Sequence, residues 1–330
     1  MKALVYTGPS EVIYRDEPQP TPAPGEVLIR VDAVGICGSD MHAYHGRDPR
    51  RVPPLILGHE LAGEILAGPG TGGRVTVNPL ITCGHCEFCI QGRNNLCANR
   101  TMIGMTRAGG FAQYVTTAAS SVIELPAGMS ARAAALTEPA ATALHALNAA
   151  ARVLARPLPE CEALVLGGGA IGLLVALLLR SYGCRHVRLA EINELRRESA
   201  RRAAGCSTYD PAQAPGPAAG SVDLVIDAVG AAATRDAALA AVKPGGVIIH
   251  VGLAEGSSGI DIRRLTLAEI TLIGVYTYST ADLRAAALGL HEGAFGDLSW
   301  VEERALSEGA RAFRDLDQGR AAAAKIVLRP

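Results

Sequence analysis

Aromatic residues are scarce in this 330-residue chain, with only four Phe and one Trp. That excludes a pocket walled mainly by aromatic rings, the kind that commonly grips a simple apolar ligand. The chain also lacks a charge imbalance. Its 31 basic residues face 32 acidic ones, and no block of like charge suggests nucleic acid or an anionic membrane as partner. Long hydrophobic runs are missing too, since the longest, Ile171 to Leu179, is far too short to cross a bilayer. The N-terminal Met1 to Tyr6 reads as the start of a strand and soon meets Pro18, Pro20, Pro22 and Pro24, so no signal-peptide pattern is visible. Together these absences predict a soluble cytoplasmic protein with a small neutral or modestly charged ligand, and no nucleic-acid or membrane partner.

What is present has two textures. The length favours two domains, each with its own core. Residues 1 to about 145 are rich in Gly, Pro and short β-branched runs, with strands expected at Val27–Val34, Arg74–Asn78 and Gly109–Val115. Within this half, the stretch from Gly35 to Glu60 supplies Cys37, then His59 and Glu60 after a bend at Gly58. A thiolate, an imidazole and a carboxylate suit one zinc with a fourth position left open for water or substrate. The same spacing also suits a buried cysteine and a core histidine with no metal. Further on, Glu138 sits among small and apolar residues. It is either part of a metal shell or a carboxylate facing a helix N-terminus that Pro139 would open.

Eight cysteines in a cytoplasmic chain point to metal rather than disulfides where they are closely spaced. Cys83, Cys86, Cys89 and Cys97 form C-x2-C-x2-C-x7-C, with Gly84 and Gly92 letting the backbone wrap. Four thiolates close a tetrahedral zinc site with no open position, and an iron–sulfur cluster uses the same ligands. His85, inside the loop, reads as a solvated residue.

From Glu162 onward, short apolar strands alternate with helices, which predicts a parallel doubly wound sheet. The strand Ala163–Gly167 runs into Gly167, Gly169 and Gly172, a G-x-G-x-x-G pattern that opens a helix expected from Ile171 to Tyr182, with Ala170 and Ile171 at the cofactor. Those glycines permit a tight turn, close approach of backbone to a pyrophosphate, and close helix packing. Glu191 ends the next strand, where a carboxylate accepts hydrogen bonds from ribose hydroxyls and repels a 2′-phosphate, so NAD is expected over NADP. Arg196 and Arg197 lie one helical turn beyond and are the groups that could receive such a phosphate. Val229 follows the strand Val222–Asp227, at the carboxyl end where ligand is expected. His250, in a strand pattern, reads as structural.

With these patterns in place, the chain resembles the zinc-dependent medium-chain alcohol dehydrogenases over nearly its whole length. Within them it looks like the polyol (sorbitol or L-iditol) and threonine dehydrogenase branch, because Glu138-Pro139 stands where the alcohol dehydrogenases proper place a cysteine ligand. The resemblance implies an α/β protein with a GroES-like β-rich catalytic domain at 1–145, to which 281–330 returns, and a Rossmann-like domain at 146–280. It implies Cys37 and His59 as zinc ligands, with Glu60 and Glu138 as a ligand and a carboxylate behind it in either order. Ser39 would bond the substrate oxygen and His42 would end a proton relay. The cysteine lobe would hold structural zinc, which settles against iron–sulfur, and Lys325 would reach the cofactor pyrophosphate. The implied activity is hydride transfer from a secondary alcohol of a polyol or polyol-like compound to NAD, in a homo-oligomer, dimer or tetramer. Amino alcohols, aminocyclitols and sugar phosphates are alternative substrates on the same scaffold. A non-catalytic zinc- and nucleotide-binding protein is the remaining reading, and loss of Cys37, Ser39, His42 or His59 would have favoured it.

Overall fold

The computed structural model describes residues 1–256 and 259–330. Two large sheets organise it. The first has seven strands, running Val122–Glu124, Arg74–Val77, Glu60–Ala67, Glu26–Gly35, Lys325–Arg329 and Val301–Ala305, with Tyr114–Ala118 also paired to Glu26–Gly35. Val27, Ile29 and Val31 alternate inward along the central strand and pack with Leu61, Ile65, Val75 and Ile326, the pattern of a sheet with one face on a core. Register decides what meets what at the end of that strand. Gly35 stands opposite both Glu60 and Val327, so the C-terminal strand runs beside the metal-ligand candidates.

The second sheet is wholly parallel, in the order Ser207–Tyr209, His186–Ala190, Glu162–Leu166, Val222–Asp227, Val242–His250 and Thr271–Gly274. Every residue of Val222–Asp227 is buried, as expected for a strand covered on both faces. The strand order reverses between Glu162–Leu166 and Val222–Asp227, which is where a doubly wound sheet opens a ligand crevice. The Ala170–Ser181 helix is buried without a break from Gly172 to Leu179 because it lies between the sheet and the Thr137–Ala151 helix, which explains its apolar circumference.

Element positions follow the sequence closely, with one instructive difference. The expected strand at Gly109–Val115 begins only at Tyr114. Gly109 and Gly110 instead donate their amides to Ile56 O and Gly58 O, and a Cβ on Gly109 would collide with the backbone of Leu57 and Gly58. Those two glycines serve close backbone approach rather than a regular ladder. Among the described residues, no helix is long and apolar enough to cross a membrane.

Candidate metal and dinucleotide sites

The strand Glu26–Gly35 delivers the chain to Cys37, which caps the Gly38–Tyr44 helix, while Gly58, at φ +91, turns the chain so that His59 and Glu60 face back toward it. Only glycine fits that turn, both for its φ and because a Cβ would lie 2.5 Å from the Phe111 ring. Cys37, His59 and Glu60 each offer one ligand atom, and these atoms lie within 4.8 Å of one another.

Behind the imidazole stands Asp40, fully buried. One of its carboxylate oxygens accepts the Cys37 amide at 3.0 Å, and the other faces His59 Nδ1 at 3.6 Å, neither of that second pair having a hydrogen-bond partner among the described residues. Burial disfavours the Asp40 charge, but His59 and Arg51 outweigh it and hold its pKa below the usual value. Burial likewise opposes protonation of His59, and Asp40 and Cys37 overturn that and raise its pKa well above the ordinary one. A sulfur, nitrogen and oxygen donor set beside an orphaned carboxylate–imidazole pair fits a metal ion. A carboxylate facing Nδ1 would favour the proton on that nitrogen and leave Nε2 for an ion.

Glu60 and Lys325 form a close, buried ion pair. Lys325 Nζ donates to both carboxylate oxygens at 2.7 and 2.6 Å and to Ile36 O at 2.9 Å, with the two side chains only 2% and 1% exposed. Burial lowers the Lys325 pKa, but the charges of Glu60 and Cys37 raise it further than burial lowers it. Gly35 has no side chain because the Glu60 carboxylate occupies that space. The expectation that Lys325 reaches a pyrophosphate is therefore corrected. Its three donors are spent on Glu60 and Ile36, beside the strand Glu26–Gly35.

Glu138 lies outside the three-atom cluster. It is 6% exposed, and its Oε1 accepts the Tyr278 hydroxyl at 2.8 Å. Burial pushes its pKa up to about 7, with Glu60 adding to the rise and His59, Tyr278 and Lys325 opposing it. Ser39, on the Cys37-capped helix, accepts a hydrogen bond from Arg51 Nη2 at 3.0 Å. The Arg51 side chain is wholly buried and is held in turn by Asp48 at 2.5 Å and Gly104 O at 3.1 Å. His42 is half-buried; burial, then Arg47, His45 and Arg51, lower its pKa. Asp40, Arg51 and Tyr278 were absent from the sequence reading. Asp40 had a signal, an acidic residue three positions after a helix cap, but nothing marked Arg51 among its arginine neighbours or tied Tyr278 to Glu138.

The four lobe cysteines also converge, with their sulfurs within 4.8 Å of one another. Backbone amides of His85 and Cys86 draw the Cys83 thiol down to about 6, while Cys86 is pushed up to about 11 by burial and the neighbouring thiols despite an amide from Cys89. Four converging sulfurs suit a cation at their centre. His85 is exposed, and its ring Nδ1 pairs with the Cys83 carbonyl at 2.8 Å.

At the crevice of the parallel sheet, Gly167 turns at φ +99 with Val229 Cγ2 2.6 Å from where its Cβ would stand, and Gly172 has no room for a side chain against Gly167 O. The Ala170–Ser181 helix begins at Gly169 with no side-chain cap, so its first amides near Ala170 and Ile171 are left for an anion. Glu191 receives the amides of Gly168 and Asn193, each at 2.8 Å. Arg197 is tied to Asp210 at 3.2 Å and to the Glu191 carbonyl, whereas the buried Arg196 Nε has no hydrogen-bond partner among the described residues.

Residues 23–127 match the alcohol dehydrogenase GroES-like domain and residues 170–292 the zinc-binding dehydrogenase domain. The chain is 32% identical over 307 residues to the L-galactonate-5-dehydrogenase of Escherichia coli strain K12, covering 89% of this chain and 88% of that one. The chain belongs to the zinc-binding alcohol dehydrogenases. Among solved structures, this dehydrogenase is similar to an alcohol dehydrogenase of E. coli CFT073 complexed with NADH, at a TM-score of 0.90 and 25% identity, covering 100% and 99% of the two chains. It is also similar to a zinc-binding dehydrogenase of Sinorhizobium meliloti 1021 bound to NADP, at a TM-score of 0.87 and 30% identity with the same coverage. The protein is a zinc-dependent, NAD-linked alcohol dehydrogenase.

Proposed function

We propose that this dehydrogenase oxidises a secondary hydroxyl of a polyol or polyol-like sugar acid, with residues 1–145 and 281–330 as its catalytic part and 146–280 as its cofactor part. The division is supported by the parallel sheet lying between Glu162 and Gly274, and by Val301–Ala305 and Lys325–Arg329 joining the sheet of Glu26–Gly35. The observation that carries the chemistry is the convergence of Cys37, His59 and Glu60 at the start of the helix bearing Ser39 and His42.

When bound, zinc acidifies the alcohol and NAD accepts the hydride. The chain does the rest. Cys37, His59 and Glu60 hold the ion, Asp40 orients His59, and Lys325 offsets the charge of Glu60. Glu138, held by Tyr278, is the second carboxylate of the site. Ser39, oriented by Arg51, takes the hydroxyl proton, and His42 passes it outward. Gly167, Gly169, Ala170, Ile171 and Gly172 cradle the pyrophosphate, Glu191 and Arg196 meet the adenosine ribose, and Val229 walls the same crevice. Cys83, Cys86, Cys89 and Cys97 hold the second zinc in a closed site.

Three features support the substrate class: the L-galactonate-5-dehydrogenase relative, two carboxylates that make the metal's surroundings harder and more hydrated, and the scarcity of aromatic side chains. Reduced-cofactor absorbance with NAD over polyols, sugar acids, sugar phosphates, amino alcohols and ethanol tests it. A polyol or sugar acid should give the highest kcat/KM, and the reading fails if ethanol or a long-chain primary alcohol does. A sugar phosphate is the second reading, because the exposed Arg47 lies close enough to His42 to depress its pKa and could meet an anion there. We also propose a homo-oligomer in a reducing compartment. The open edge of Thr271–Gly274, with Leu272 36% exposed, supports the first part, which light scattering on the purified protein tests, and a lobe of four thiols gathered for a metal rather than paired as disulfides supports the second.

A further inference from the structure

The cysteine lobe is not isolated from the alcohol site. Between Cys89 and Cys97, the short turn Asn94–Leu96 faces the 276–280 segment that follows the last strand of the parallel sheet. The Asn95 side chain, 6% exposed, donates to Tyr276 O at 2.8 Å, and Asn94 Oδ1 accepts the Thr280 amide at 3.3 Å. The Arg100 guanidinium lies 5.0 Å from the Tyr276 ring centroid, and Asn78 reaches the Thr280 hydroxyl at 3.5 Å. These contacts bracket Tyr278, two residues to either side. The bracketed backbone is one that would not hold itself, since Thr277 is β-branched and sits at φ +49, a left-handed conformation that persists only where surrounding structure imposes it. Tyr278 itself is fully buried, with its hydroxyl on Glu138.

We propose that Asn94 and Asn95 are positioning residues for alcohol oxidation: from the metal-holding lobe they fix the 276–280 segment in the conformation that sets the Tyr278 hydroxyl on Glu138. The lobe then does more than stabilise the fold, because its order is transmitted to the carboxylate of the alcohol site through one backbone segment. This rests on the reading of Glu138 as part of that site.

The experiment compares Asn95→Ala, Tyr278→Phe and the double variant in the zinc-loaded enzyme. Asn95→Ala should lower kcat about tenfold through the misplaced segment while leaving KM for NAD and the zinc content unchanged. It should also speed hydrogen exchange at the Tyr276 to Thr280 amides, a readout independent of turnover. In the Tyr278→Phe background it should lower kcat no further, because both changes act through one contact. If Asn95→Ala fails to fold, Asn94→Ala, which removes only the acceptor of the Thr280 amide, takes its place with the same expectations. Unchanged kcat or exchange in the asparagine variant with Tyr278→Phe slow, or losses that multiply in the double variant, would overturn this inference alone. Unchanged kcat in Tyr278→Phe would instead overturn the reading of Glu138, and the inference with it.

Discussion

Replacing Lys325 with Met leaves Glu60 a buried carboxylate whose cation is gone. In the native protein the ammonium spans both Glu60 oxygens at 2.6 to 2.7 Å, with both side chains almost fully excluded from water. Methionine fills a similar volume, so lost packing is a minor part of the change. Breaking a buried pair by removing one partner typically costs about 3–5 kcal/mol, mostly the penalty of the stranded charge. At about 2.1 cal/mol/K of unfolding entropy per residue, that lowers the Tm of a 330-residue chain by about 4–7 °C. The cost should be largest in zinc-free protein, where no other cation neutralises Glu60, and smaller after zinc is added. Adding Glu60→Gln to Lys325→Met removes the stranded charge and should recover most of the loss. The pH dependence has a definite sign. Lys325 titrates above the usual lysine value of 10.5, so its contribution is complete below that pH and is lost as pH rises through the folded-state value. The native protein should therefore lose stability at alkaline pH, and Lys325→Met should lack that loss. Calorimetry on zinc-free protein decides it. A destabilisation below about 1 kcal/mol, the level of an exposed pair, would refute the argument, as would a double variant no more stable than Lys325→Met.

Three further outcomes are expected. Glu191→Ala should narrow the preference for NAD over NADP by about tenfold in kcat/KM without reversing it; faster turnover of native enzyme with low NADP than with equal NAD would mean that Arg196 or Arg197 defines the pocket instead. Because burial and Arg47, His45 and Arg51 depress His42, the acid limb of the pH–rate profile should fall below pH 6.5, and His42→Ala should abolish that limb; an unchanged limb removes His42 from the relay. Burial opposes ionisation of Asp48, but Arg50 and Arg51 lower its pKa from 3.8 to about 2, so the stability it provides is complete above 3.8 and is lost as pH falls toward 2. Asp48→Asn should cost about 2 kcal/mol at neutral pH in a urea titration and should also slow turnover, since Asp48 holds the arginine that orients Ser39.

Local signals carried much of the fold. The Glu194–Ala204 helix lies where expected because Asn193 caps its start by accepting the Arg196 amide and Gly205, at φ +58, ends it. The strand Val222–Asp227 announced itself as the apolar run Leu224 to Ile226 between two aspartates, and the glycine pattern at Gly167 marked the crevice. Ligand candidates were visible where they stood close in sequence, as in Gly58-His59-Glu60 and the cysteine lobe. What escaped were the partners that only register brings together. Lys325 meets Glu60 because the C-terminal strand pairs beside Gly35, a contact across 265 residues, and Tyr278 meets Glu138 across 140. No periodicity within a window of sequence encodes either pairing. Arg51 was hidden differently: in a run of arginines composition cannot show which one is buried, and its burial followed from Asp48 and the backbone of Gly104 lying on either side of it.

The central claim is that one zinc, held by Cys37, His59 and Glu60, serves alcohol oxidation, while a second, in the cysteine lobe, does not react. Metal content and turnover of Cys37→Ser, measured on the same preparation, test it most directly. Native protein should carry about two zinc ions per chain, and the variant should keep about one, bind NAD normally and lose turnover by at least about a thousandfold. A variant that retains both ions, or that turns over at a rate near the native one, would contradict the account.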